Sequence, residues 1–293
     1  MRFVAAMLCW LVATIALAVA VPAMWAQRNL IDPDGYAALA QSAAQDPALQ
    51  NAMASEISTQ AVAVARDHGA RLNDGVVRGV ATAYTGSSAF PGQFADVNRA
   101  AHQWLFTDAA RQSGGRLEID LAPMLSNTSL KETLNNVNVD LPPTVTVPVT
   151  EDTAATLRPG ELHTLATWGP WVSRGATLLA VIAALLTLAI ARGRGKALAA
   201  LGVSALLVGG GGWAAMEVFR RYIDNALNDT SGNIRTIADV MVANAEGSLH
   251  QWLNVTLAAG GLLVMLGVIV TMLGAARRRP RASATGMQTS RRT

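Results

Sequence analysis

The side chains best suited to chemistry in this 293-residue chain are four histidines, His68, His102, His163 and His250, and two close pairs of carboxylates. An imidazole binds zinc when further ligands stand at set spacings, and none of the four has a histidine or carboxylate partner at a known zinc spacing. His102 stands out because Asn98, Arg99 and Trp104 accompany it on one expected helix, so His102, Arg99 and Asn98 form a candidate polar site. Asp32 and Asp34, separated by Pro33, have the chemistry to hold a divalent cation, but turn and helix-cap duty explains them more cheaply. Glu118 and Asp120 lie two apart on an expected strand and share a face, which suits an acid/base pair and equally a solvent-facing strand. No nucleophile elbow, phosphate loop, dinucleotide fingerprint or His-Glu-x-x-His run occurs. The expectation is a chain with no catalytic residue, no metal and no cofactor.

The elements that must position these groups are dominated by lipid. Apolar residues make up 51% of the chain and charged ones 15%, and mean hydropathy is +0.29. Four stretches carry no charge: 3–26, 175–191, 197–216 and 252–276. About 20 helical residues cross a hydrocarbon layer of roughly 30 Å, so three of these suffice as they stand. The second is extended through Trp168, Trp171 and Arg174, whose long stem can reach the headgroups. The fold class expected is a mainly α membrane protein with four transmembrane helices and a helix-rich extracytoplasmic domain containing a small β element. Cys9 has no partner, so no disulfide staples that domain.

Charge sets the orientation. With Met1 inside, the cytoplasmic parts hold 10 of the 23 basic residues and none of the 20 acidic ones, which is the positive-inside pattern. Trp25, Trp168, Trp171, Trp213 and Trp252 fall at the outer edges of the spans, where indole rings prefer to sit. Both chain ends are then cytoplasmic in a multi-pass plasma-membrane protein. The organisation expected is an anchor over 1–26, retained rather than cleaved as a signal, and an extracytoplasmic domain over 27–167. A second span over 168–192, a cytoplasmic loop at 193–196 and a third span over 197–217 come next. A helical hairpin stalk over 218–251, a last span over 252–276 and a basic tail over 277–293 complete it. The pI of about 9.5 reflects these juxtamembrane clusters, so lipid is the expected partner and nucleic acid is not.

In the outer domain, Asp34 is expected to cap a short helix carrying Tyr36, Leu39, Ala40 and Ala43, and Asp46-Pro47 to start a second. Leu49, Met53, Ile57, Ala61 and Val64 keep the 3.6-residue period to about Asp67. Further helices are expected over 74–84 and 91–112, then paired strands over 116–121 and 144–149, with at best a short helix over 129–136 between them. In the stalk, Ile234, Ile237, Met241, Ala245 and Leu249 recur at helical spacing, and the outer domain is the nearest partner for that stripe. Gly202 and Gly209 in the third span and Gly260, Gly267 and Gly274 in the last recur every seven residues, a spacing that keeps them on one face for close helix packing.

The first 125 or so residues resemble a group of uncharacterised actinobacterial integral membrane proteins. The likeness rests on Trp25; Asp32 and Tyr36; Asp46, Pro47 and Gln50; Asn98, Arg99, Ala101 and His102; and Ile119, Asp120, Leu121 and Pro123. The chain departs from that pattern by having Pro33-Asp34 where the group has Thr-Asp before the tyrosine. The resemblance implies a cell-envelope setting and no activity.

The function expected is that of a non-enzymatic envelope scaffold or accessory subunit working through its outer domain with an envelope protein partner. The alternative is an extracytoplasmic sensor or a small-molecule or lipid receptor, and an envelope hydrolase comes third. Transport is disfavoured by the lack of ionisable groups deep in the spans.

Overall fold

The structure, a computed structural model, describes residues 2–67, 69, 71–107, 118–120, 146–148, 160, 162–227 and 232–277. It is helical: α1 (Arg2–Ala26), α2 (Pro33–Ala43), α3 (Pro47–Asp67), α4 (Asp74–Thr85), α5 (Phe90–Phe106), α6 (His163–Ile190), α7 (Arg194–Ala226) and α8 (Gly232–Arg277). Four helical stretches are long and apolar enough to cross a membrane: Arg2–Ile31, His163–Ile190, Arg194–Asn225 and Gly232–Ala276. The chain is thus built as a membrane protein. At 1.5 Å per residue the 46 residues of α8 extend roughly 69 Å, about twice what a bilayer requires.

The chain divides into two compact units. The first is drawn from Met1–Ala20, Gly175–Trp213 and Leu253–Thr293. Its interior is made of small residues, with Ala13, Ala16, Ala180, Ala183, Ala205 and Ser204 all buried. Large apolar side chains such as Leu8, Ile15, Leu185, Leu207 and Met272 point outward. That inversion suits helices surrounded by lipid, where close backbone approach rather than leucine burial drives association. Polar contacts join α1 to α7: Trp10 Nε1 donates to the Ala200 carbonyl at 2.9 Å, and the Thr14 and Ser204 hydroxyls lie 2.7 Å apart.

Helices α7 and α8 cross at glycines. A Cβ on Gly202 would stand 2.6 Å from the Gly260 carbonyl oxygen, and one on Gly260 would stand 2.9 Å from the Gly202 oxygen. Gly267 meets Gly195 and Ala199 in the same way, and Gly209 takes the Leu257 side chain. Gly274 is a correction to the expected face, because nothing lies within 4 Å of its Cβ position. Gly267 already faces the first turns of α7, and one heptad further on that helix has not yet begun.

The second unit is drawn from Val21–Arg174 and Ala214–Trp252. Here the interior is of the ordinary water-soluble kind, with Leu49, Tyr84, Phe90 and Phe94 buried beside Ala40, Ala43 and Ala44. Ile237, Val240 and Met241 of α8 pack onto this cluster, and Asn244 Nδ2 donates to the Leu39 carbonyl at 2.8 Å. Ile237 and Met241 of the stalk stripe are therefore covered by this cluster, whereas Ile234 is exposed. Asp46 starts α3, its carboxylate accepting from Ala48 N at 2.7 Å, and Asn73 caps α4 through Gly75 N and Val76 N.

Several expected boundaries shift. The cap of α2 is Asp32, not Asp34, because Pro33 takes the first helical position and Asp32 Oδ1 accepts from Asp34 N and Gly35 N. Helix α5 ends at Phe106, short of residue 112, where Thr107 turns to extended backbone at φ −118° and ψ 148°. Helix α6 begins at His163, ahead of residue 168. The expected β element is not supported: all that aligns there are two three-residue segments, β1 (Glu118–Asp120) and β2 (Thr146–Pro148), with Ile119 opposite Val147, too short to form a sheet layer. The described fold rests on its helices and not on that ladder. The helix expected over 129–136 and the basic tail beyond Arg277 lie outside the described residues.

The crossing gives a direct test. Gly202→Val forces a branched side chain into the Gly260 backbone and should lower stability by about 1 to 3 kcal/mol. Gly261→Val, where the Cβ position meets nothing within 4 Å, should leave the melting temperature in detergent nearly unchanged. Equal melting of both variants would show that the crossing is not held by close approach.

Candidate functional site

Between α1 and α2 the chain makes one π-helical turn, Gln27–Ile31, in which Asp32 N donates to the Gln27 carbonyl at 2.9 Å. A turn that ends this way leaves carbonyls without an intrahelical donor. His102, 4% exposed on α5, answers one of them: its Nε2 lies 2.8 Å from the Leu30 carbonyl oxygen. A carbonyl only accepts, so Nε2 is the donor in this contact. Nδ1 is buried, with no hydrogen-bond partner among the described residues. The ring stacks on Phe106 at 4.1 Å and tilts against Tyr36 at 5.1 Å. Burial pushes the Tyr36 phenol up from its ordinary range.

The candidate trio does not converge on a common point. Asn98 donates its Nδ2 back to the Phe94 carbonyl one turn earlier on α5, at 2.9 Å. Arg99 pairs with Asp96 at 2.6 Å and Asp34 at 3.2 Å, and exposed pairs of this kind contribute at most about 1 kcal/mol. His102 faces inward onto Leu30. The arrangement ties α5 to the start of α2 and to the π-turn rather than forming a cleft. Asp32 is occupied as a cap and Asp34 as an ion-pair partner. Glu118 and Asp120 sit on β1, and their side chains lie outside the described residues, as does His68. His163 joins no metal cluster, since no three His, Cys, Asp or Glu side chains gather among the described residues. His250 lies on α8.

No family model matches the chain, and neither a curated protein nor a solved structure matches it. The site must be read from its own geometry.

Two features were not expected from the sequence. Glu246, 7% exposed on α8, meets Arg220 Nη1 through Oε2 at 3.1 Å. Its Oε1 is buried and has no hydrogen-bond partner among the described residues. The other feature is a cavity of about 770 Å³ lined by Met24, Gln27, Arg28, Asn29, Asp32, Ser173, Arg174 and Trp252. Arg28 stands over the Trp252 ring, 5.8 Å from its centroid, a cation–π contact. Among the described residues neither Arg28 nor Arg174 has an ion-pair partner. The signal for this site is faint in the sequence. Arg28, Arg174 and Trp252 each stand at or near the end of an uncharged stretch, but nothing there says that the three stretch ends meet.

Two outcomes are expected. His102→Leu keeps an apolar volume but leaves the Leu30 carbonyl buried without a donor, so stability should fall by about 1 to 3 kcal/mol in thermal melts. His102→Gln, which can still donate, should fall less. Tyr84 supplies the second, since burial pushes its phenol up to about 12 from 10.0 while its hydroxyl donates to Gln93 Oε1 at 2.7 Å. Below pH 10 both folded and unfolded chains keep this proton; from there to about 12 only the folded chain does. Stability should therefore decline over that window by about 2 kcal/mol, and Tyr84→Phe should flatten the decline in alkaline melts.

Proposed function

We propose that the chain is a non-enzymatic scaffold or accessory subunit of the cell envelope, with its helical body outside the cytoplasm and both chain ends within. The orientation is supported by the basic residues at the N-terminus, in the 192–196 loop and in the tail, parts that hold no acidic residue at all. Membership of the actinobacterial group belongs to the same proposal. The motif residues behind it have folding roles here: Asp32 and Asp46 as caps, Gln50 donating to the Ala44 carbonyl at 3.0 Å, and His102 on Leu30.

The observation that carries the scaffold reading is a free face on α7. Val218, Phe219 and Tyr222 come after the uncharged run 197–216 and are 54%, 59% and 68% exposed. Spaced at i, i+1 and i+4, they form one apolar stripe beside Arg220 and Arg221. Ile237 and Met241 of the α8 stripe pack onto the buried cluster; among the described residues the α7 stripe stays exposed and offers its face to another envelope protein. Aromatic residues with a neighbouring arginine are the usual anchors of a protein interface.

A photo-crosslinking amino acid at Tyr222 in native membranes should give a discrete protein adduct. Phe219→Asp should remove most of that adduct while leaving the amount of protein in the membrane unchanged. Adducts to lipid alone would overturn the reading, as would a reporter fused within residues 74–85 that responds only in the cytoplasm.

A further inference from the structure

The cavity beside the π-turn has a composition that neither helix capping nor the scaffold reading uses. Its cationic groups come from two distant points of the chain, Arg28 just after α1 and Arg174 within α6, and its aromatic wall is Trp252 of α8. We propose that it binds the headgroup of an anionic phospholipid, with the Arg28 and Arg174 guanidinium groups holding the phosphodiester. The inference stands or falls without the scaffold partner.

Three observations lead there. The first is depth. Arg28 lies two residues beyond the uncharged run 3–26, Arg174 directly precedes the run 175–191, and Trp252 opens the run 252–276. All three are therefore at the level where hydrocarbon gives way to headgroups, and indole rings favour that level. The second is charge. Two arginines and Asp32 give the wall a formal charge of +1, which a singly charged phosphodiester neutralises. Asp32 Oδ1 is directed at the α2 amides, so the guanidinium groups remain the donors, and their planar forks match two phosphate oxygens at once. The third is shape. The cavity lies within the usual size range of ligand pockets, roughly 300 to 1,000 Å³, and it has an apolar side at Met24 and Trp252. A free phosphate has no use for that side. The glycerol ester region of a lipid does. The same chemistry has two sources, lipid and inorganic phosphate, and the depth and the apolar side select lipid.

The test uses the full chain purified in mild detergent and examined by native mass spectrometry with phosphatidylglycerol, with phosphatidylcholine and with inorganic phosphate. Phosphatidylglycerol should be retained in preference to phosphatidylcholine. The double variant R28Q/R174Q should lower that retention about tenfold, and R174Q alone by a few-fold. Arg71→Gln, an exposed arginine that does not line the cavity, should retain the lipid as the natural chain does. If the double glutamine variant fails to fold, R28K/R174K keeps the charge and removes the fork, and its retention should fall a few-fold. Unchanged retention in either double variant overturns the site. So does equal retention of the two lipids by the natural chain. Displacement of bound lipid by equimolar inorganic phosphate overturns the choice of lipid as ligand.

Discussion

A helix in hydrocarbon gains little by turning leucine toward its neighbours, because the acyl chains are as apolar as the neighbours are. What remains is van der Waals contact, and that rewards backbones that come close. The first unit largely obeys this constraint, with Val208 and Leu253 as its larger buried residues. Its alanines, serines and glycines face one another, its large aliphatic side chains face outward, and α7 meets α8 where Gly202 and Gly260 leave no space for a Cβ. The second unit obeys the opposite rule. It buries Leu49, Phe90 and Phe94 and leaves most of its charges exposed, with Glu246 buried against Arg220 as an exception.

Helix α8 contributes to both kinds of packing along its 46 residues. Its glycine face serves α7, while Ile237, Val240 and Met241 complete the core formed with α2, α3 and α5. Short helices such as α2, with 11 residues, are marginal alone. They persist because a longer helix supplies the missing wall. Polar side chains then fix the register at Leu39–Asn244 and Trp25–Ser248, contacts of 2.8 and 3.1 Å.

The legible parts of this fold are those governed by local chemistry. Uncharged runs mark the four long helices, and Asp46-Pro47 marks the start of α3, because hydropathy and capping act within a few residues. The parts that depend on distant segments are not legible. Gly274 shares the heptad of Gly267, yet whether a partner exists there is decided by where α7 begins, 80 residues earlier at Arg194. His102 reads as a polar site with Arg99 and Asn98 because it is a histidine near a cation and an amide. Only the π-turn, whose spare carbonyl it satisfies, explains its burial. The cavity is the extreme case, since Arg28, Arg174 and Trp252 belong to three separate helical segments.

The π-turn also fixes the entry into α2. Its wider loop holds one more residue than an α-helical turn, and Gly35 sits so tightly on the Arg28 carbonyl that no larger residue has room there. Removing one residue between Gln27 and Ile31 would restore regular winding, and the bond from Asp32 N to the Gln27 carbonyl would be lost. The extra residue is therefore what frees a carbonyl for His102, and a change of length there would remove that contact.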